Sequence, residues 1–423
     1  MQELLNVSEA LNRLLLRFTS VTNEVRPISE ISGRVLAEDV VSGVDLPLYT
    51  NSSMDGFAVI ASDVTGATAD RPIALKIVTD IPAGSIPVIR IGSQESARIM
   101  TGALLPTGAD SVVPVEFTNK KINIEDSAAL GGHEVLVFRA VNKGDYVRQK
   151  GEDIRTGGTV LISGTRLRPQ DIGLLAMLGI SKVSVFRRPR VALFSTGDEL
   201  VAIDKPLQAG KIHDSNAYTL AASIARDGGE AHYLGIIPDS EDAVQIALQR
   251  ATEAQVDLIL SSAGVSVGAF DFVRAVVEKH GKLDFWRVNM RPGKPLAFGD
   301  FQGTPFIGLP GNPVSAFVGY EVFVRPALMK LSGLRSEDRI LLKARLTEGI
   351  ESDGRESYLR GVVTNQAGEW IASLTGHQGS GNLLSLVQAN ALLIIPSGVK
   401  SLPSRAEVQA WIIGAIPVGD FIV

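Results

Sequence analysis

Between residues 190 and 331 short apolar runs alternate with longer stretches of helical periodicity, and few folds accommodate that alternation. The runs are Val191 to Phe194, His232 to Ile237, Leu258 to Leu260 and Pro305 to Gly308; the helical stretches are 215 to 227, 240 to 253, 270 to 280 and 313 to 331. A strand without polar alternation is buried on both faces, and a crossover of a dozen or more residues returns the chain parallel to itself. An α/β domain is therefore expected, with a doubly wound parallel or mixed sheet covered by helices. Ligands of such sheets bind beyond the carboxyl ends of the strands, so the loops that carry function can be placed first. Three of these loops are rich in glycine and small polar residues: Ser195 to Glu199, Ser261 to Gly268, and Leu309 to Pro313. Each lets backbone N–H groups approach an anion; a plain tight turn is the alternative for each.

The flanking segments read differently. Ser8 can cap a helix in which Leu11, Leu14, Leu15 and Phe18 recur at helical spacing. From Phe57 to Phe138 the apolar runs are short and β-rich: Phe57 to Ile60, Ala74 to Val78, Ser111 to Val115 and Glu134 to Phe138. Glycines cluster from Gly144 to Gly164 before Pro169 opens a helix closed by Gly179. After Gly333 short strands return (Ile340 to Leu346, Leu392 to Ile395, Val408 to Ile413). Four domains result: a discontinuous one at 1–48 and 142–187, an inserted β domain at 49–141, the α/β domain at 188–332 and a terminal β domain at 333–423.

Composition narrows the chemistry. A formal charge of -5 leaves no broad cationic face for a nucleic-acid backbone. No stretch of ~18 apolar residues and no leader-like start occur, so a cytoplasmic protein without a membrane partner is expected. With no cysteine, thiolate metal sites and cysteine nucleophiles are excluded, and the five histidines are scattered. A bound metal would be held by oxygen, and magnesium is the natural candidate.

Neither a phosphate-binding G-x-x-x-x-G-K-[ST] loop nor a G-x-G-x-x-G dinucleotide fingerprint is present. Instead, Met290 to Pro295 sets Arg291 and Lys294 three residues apart in a stretch that two prolines keep from being helical. They form either an oxyanion clamp or a solvated pair. Asp198, Glu199, Asp214, Asp239 and Asp271 lie near the same strand ends, as metal ligands or as turn and capping acids. Two segments stand apart: Asn51 to Phe57, with Asp55 before Gly56, and Arg98 to Ala103, with Thr101. For each, a turn entering the β domain competes with a catalytic role.

Together these segments resemble the molybdopterin molybdenumtransferases, known as MoeA in bacteria and as the E domain of gephyrin in animals. The matching stretches are Asn51 to Val59, Arg98 to Gly108, Gly151 to Ile154, Ser195 to Leu200, His213 to Asn216, Ser261 to Asp271, Pro292 to Gly299 and Gly308 to Ser315. The resemblance implies a barrel-like C-terminal domain and an elongated homodimer. It also implies an active site shared between the α/β domain of one subunit and the β insert of the other. The implied activity is insertion of molybdate-derived molybdenum into adenylylated molybdopterin with release of AMP, with Mg2+ held by Glu199, Asp239 and Asp271. Asp55, Thr101, Asp153, Glu199, Asp239 and Asp271 fall at the family's functional positions. Ser195, Gly197, Ser215, Asn216, Gly264, Ser266, Gly268, Arg291, Lys294, Pro310, Gly311 and Asn312 fall along its ligand-binding loops, and Arg355 and Ser380 in stretches implicated in oxyanion binding. A transient contact with the molybdopterin adenylyltransferase that makes the intermediate is also implied. The sequence departs from the family at Ala263, where a glycine is usual, and at Thr50, where an aspartate is common. The related domain that adenylylates molybdopterin and a non-catalytic scaffold are the rival readings.

Overall fold

The computed structural model describes residues 4–119, 134–263, 269–335 and 339–415. It divides the chain into two compact units: one comprises 1–38, 163–173 and 181–423, and the other 39–162 and 174–180.

The first unit is built around a six-stranded sheet of β1 (Arg190–Thr196), β2 (Glu230–Ile237), β3 (Leu258–Ala263), β4 (Gly281–Arg287), β5 (Pro295–Phe301) and β6 (Thr304–Leu309), in the order β2-β1-β3-β6-β5-β4. Strands β2, β1, β3 and β6 pair in parallel, while β5 runs antiparallel to both its neighbours. The sheet is thus mixed. Reading only continuous apolar runs passed over β4 and β5, because edge strand β4 alternates polar with apolar residues and β5 begins at a proline.

Alternation along each inner strand divides the core in two. Val191, Leu193, Leu258, Leu260, Phe298 and Ile307 face one side, joined by Leu220, Ile224 and the helical run from Pro313. Ala192, Phe194, Ile259, Ala297 and Phe306 face the other, against Val244, Leu248, Val273 and Val277. Burial on both faces is why β1 and β3 read as unbroken apolar runs. The N-terminal helix Val7–Leu15 lays Val7, Ala10 and Leu14 on the first of these faces. Its cap is Asn6, whose side chain accepts from Glu9 N at 2.8 Å; Ser8 instead donates to Asn6. The stretch 313 to 331 is not a uniform α-helix: Tyr320–Val324 widens into a π turn between two α segments.

Five strands close a small barrel after Gly333: Leu341–Leu346, Glu356–Gln366, Glu369–Leu374, Ala391–Ile395 and Glu407–Ile412. Closure comes from the long strand Glu356–Gln366, which pairs with both Glu369–Leu374 and Ala391–Ile395. Met290–Arg291 adds to the same strand, in parallel register with Glu356 and Ser357. That pairing fixes the Arg291 loop against the barrel.

In the second unit a five-stranded sheet runs in the order Ser111–Pro114, Gly56–Val59, Glu95–Ile99, Ile73–Ile81, Glu134–Val137. Gly56 is obligatory there, since a Cβ would lie 2.1 Å from Val113 O of the adjacent strand. Among the described residues no helix is long and apolar enough to cross a membrane.

Candidate functional site

At the carboxyl ends of β1 and β3 the strands finish in hydroxyls rather than in further apolar residues. Ser195 lies beside Ser262, and Phe194 beside Ser261. Ser195 Oγ, Thr196 Oγ1 and Ser261 Oγ are buried and have no hydrogen-bond partner among the described residues, and the same holds for Asn216 Oδ1 and Asp239 Oδ1. Buried polar groups are ordinarily satisfied, so five orphans at one end of a sheet mark a place prepared for a polar ligand. Gly197 follows with φ +147°, and a Cβ there would meet the Glu199 carboxylate at 2.7 Å.

Asn216 knits two of the loops together. Its Nδ2 donates to Ser262 Oγ and to Gly311 O, both at 2.7 Å. One residue on, Asn312 Nδ2 donates to Ser380 Oγ at 2.9 Å. A hydrogen-bonded path therefore runs from the end of β3 to the barrel. Asp214 caps the helix Ser215–Arg226 and accepts from Tyr233 Oη at 2.9 Å, which is the ordinary role of a loop acid. Ser215 at the first turn is exposed, and His213 Nε2 bonds Lys205 O at 2.9 Å.

Asp198 and Asp239 approach each other through their backbone N–H groups, Asp198 N to Asp239 Oδ2 at 3.4 Å and Asp239 N to Asp198 Oδ1 at 3.5 Å. Burial, then the charges of Asp198 and Glu199, push the Asp239 carboxyl above the usual carboxylate range. A buried, partnerless carboxylate oxygen among other acids is a donor set that suits a hard cation, and magnesium is commonly held by one or two carboxylates with ligand phosphates completing its shell. Among the described residues no three acids or histidines converge as a complete metal cage. Gly264, Ser266, Gly268 and the side chain of Asp271 lie outside the described residues.

A raised carboxyl stabilises the fold when protonated, and that contribution is lost as pH rises through the raised value. Ionised Asp239 therefore costs the metal-free protein stability at neutral pH. Asp239→Asn is expected to melt higher than wild type at about pH 7.5, the gap closing as pH falls toward about 4. Added Mg2+ should raise the melting temperature of wild type only. Differential scanning calorimetry over a pH series checks both; an equal magnesium response in the variant would remove Asp239 from the metal site.

A cavity of about 360 Å³ opens where the Arg291 loop meets the barrel. Arg291, Lys294, Pro310, Asn312, Arg355 and Ser380 all line it, so six of the residues singled out from sequence meet in one place. Arg360 and Gln378 line it too without having stood out in the sequence, and so does Ser315, which closes the matching stretch Gly308 to Ser315. Arg355 is held by Asp353, whose carboxyl that guanidinium keeps below the usual range, and it donates to Met290 O at 3.2 Å.

The second unit brings two other predicted residues together: Asp55 Oδ1 accepts from Thr101 N at 2.7 Å and from Thr101 Oγ1 at 2.8 Å, with both side chains exposed. Asp153, also exposed, pairs with Arg148.

Comparison with known proteins agrees over nearly the whole chain. Residues 5–179 match the MoeA N-terminal region (domain I and II), 192–330 the Probable molybdopterin binding domain, and 343–413 the MoeA C-terminal region (domain IV). The chain is 38% identical over 392 residues to a molybdopterin molybdenumtransferase of Nostoc sp., covering 91% of this chain and 87% of that one. It is 34% identical to that of Haemophilus influenzae, covering 93% and 94%. The crystal structure of a molybdopterin biosynthesis moeA protein from Pyrococcus horikoshii superposes with a TM-score of 0.83 at 30% identity, covering 97% of this chain and 100% of that one.

Proposed function

Because the chain belongs to the MoeA family of molybdopterin molybdenumtransferases, we propose that it transfers molybdenum from molybdate to adenylylated molybdopterin and releases AMP, a step in molybdenum cofactor synthesis. The observation that carries the detailed reading is the cationic cavity. Arg291, Lys294, Arg355 and Arg360 line a space with ample room for an oxyanion, beside loops whose buried hydroxyls lack partners among the described residues.

In this reading molybdate sits between Arg291 and Lys294, with Asn312 and Ser380 orienting it. The pyrophosphate of the intermediate lies across the ends of β1 and β3, where Ser195 and Ser261 supply hydroxyl groups, Asn216 holds the Gly311 loop in place, and Gly197 and Gly311 let the backbone approach. Magnesium, held by Asp239 with Glu199 and Asp271, supplies charge neutralisation to that pyrophosphate when bound. The protein contributes position and charge; the pterin sulfurs make the bonds to molybdenum. Asp55, Thr101 and Asp153 come from the second copy in a homodimer, and the preceding adenylyltransferase delivers the intermediate by transient contact.

The test supplies purified protein with adenylylated molybdopterin and quantifies AMP with and without molybdate. AMP release that requires molybdate is expected. Equal release without molybdate, or synthesis of the adenylylated pterin from ATP and molybdopterin, would replace this reading with adenylyl transfer.

A further inference from the structure

Among the described residues Arg360 is the largest fully buried side chain, and it carries a charge. It projects from the barrel strand opposite to Leu359 and Val363, which face the barrel core. Its Nε donates to Ser385 Oγ at 3.1 Å, and one terminal nitrogen donates to Gly379 O at 3.0 Å and His377 O at 3.4 Å. Gly379 and Ser380 belong to the cavity wall, so this side of the guanidinium holds that wall in place. The other terminal nitrogen, Nη1, has no acceptor among the described residues, and no described carboxylate pairs with the group. Burial and the neighbouring charge of Arg291 lower it to about 10, which leaves it protonated at neutral pH.

A buried cation without a counterion is among the most costly arrangements in a protein, and its neighbours are not compensation. Arg355 is neutralised by Asp353, whereas Arg291 and Lys294 have no described ion pair and add to the surplus. The cavity is thus short of more than one negative charge. We propose that Arg360 is a specificity-determining residue of this cavity: its free Nη1 donates to the bound oxyanion, and its charge makes the cavity select doubly charged tetrahedral oxyanions over singly charged ones of similar size.

This inference rests on the cavity being an oxyanion seat, and molybdate and perrhenate separate the two ideas because both are tetrahedral and of similar size, with charges of two and one. Isothermal titration of the full-length protein should show molybdate binding at least ~100-fold more tightly than perrhenate. Arg360→Met should lose most of that ratio, weakening molybdate ~30-fold or more while perrhenate changes by a few-fold at most. Loss of wall structure alone would weaken both anions equally and would overturn the proposal. So would a wild-type ratio near one, which needs no variant and remains decisive if Arg360→Met does not fold. AMP that displaces molybdate competitively, with the same sensitivity to Arg360, would move the nucleotide phosphate into the cavity. That outcome keeps the role of Arg360 and removes only the molybdate assignment. Absence of any molybdate binding by wild type would overturn both.

Discussion

Asp55→Ala is expected to lower molybdenum insertion by about 10²- to 10⁴-fold, the range lost when a positioned charged or proton-transferring group is removed from an active site. The fold should survive. Asp55 is exposed, its main-chain oxygen still accepts from Val115 N at 3.0 Å, and among the described residues its side chain makes two hydrogen bonds, both to Thr101. Losing them costs roughly 1 kcal/mol of the second unit's stability. The competing explanation is that Asp55 merely holds the turn at Thr101 and Gly102. Asp55→Asn separates the two, since an amide oxygen accepts the same two hydrogen bonds without the charge. Insertion assays should find Asn as inactive as Ala; near-normal activity in Asn would reduce Asp55 to a turn residue. If Asp55 acts on the site of a second copy, co-expressing Asp55→Ala with Asp239→Asn should restore activity in the mixed dimers, each of which retains one complete site.

How far the sequence led depends on the kind of contact involved. Strands β1, β3 and β6 were legible because burial on both faces leaves few polar residues to interrupt them, edge strand β2 because of its apolar run Leu234 to Ile237, and the helices between them because their periodicity is 3.6. Arg291, Lys294, Asn312, Arg355 and Ser380 were each singled out, yet nothing in the spacing of 290, 312, 355 and 380 foretold one cavity. That convergence comes from Met290–Arg291 pairing with the strand that begins at Glu356, a long-range backbone contact. Arg360 stayed hidden for a related reason. In a strand reading Tyr358, Leu359, Arg360, Gly361, an arginine at alternate position is ordinarily taken as solvated, and only the loop from His377 to Ser385 folding over it reveals that it is buried. For Asp214, which the sequence leaves between metal ligand and capping acid, the structure shows the cap.

Glu321 shows the same blindness, and its replacement carries the largest stability effect expected of this chain. It sits on the π turn Tyr320–Val324 with its side chain wholly buried, accepts from Arg226 at 2.9 Å and pairs with Arg339. Arg339 in turn lies 5.6 Å over the ring of Trp411 and bonds Ile412 O, so this acid ties the helical layer of the α/β region to the barrel. Beside it Tyr320 donates to Asp227 at 2.8 Å, and Arg325 approaches the same carboxylate at 3.5 Å. Burial, then Arg226, already lowers Arg339 to about 10. Glu321→Ala would leave two guanidiniums facing each other with one carboxylate fewer between them, a loss of about 3–5 kcal/mol. For a unit of this size that corresponds to a fall in melting temperature of roughly 5–8 °C. Because Glu321 does not line the cavity, the folded fraction at low temperature should insert molybdenum at close to the wild-type rate. Adding Arg339→Met to Glu321→Ala should recover part of the loss, since it removes one of the unpaired charges and leaves an apolar chain against Trp411. Calorimetry on the single and double variants reads the coupling directly; equal melting of Glu321→Ala and wild type would mean that the charged junction contributes nothing to holding the barrel.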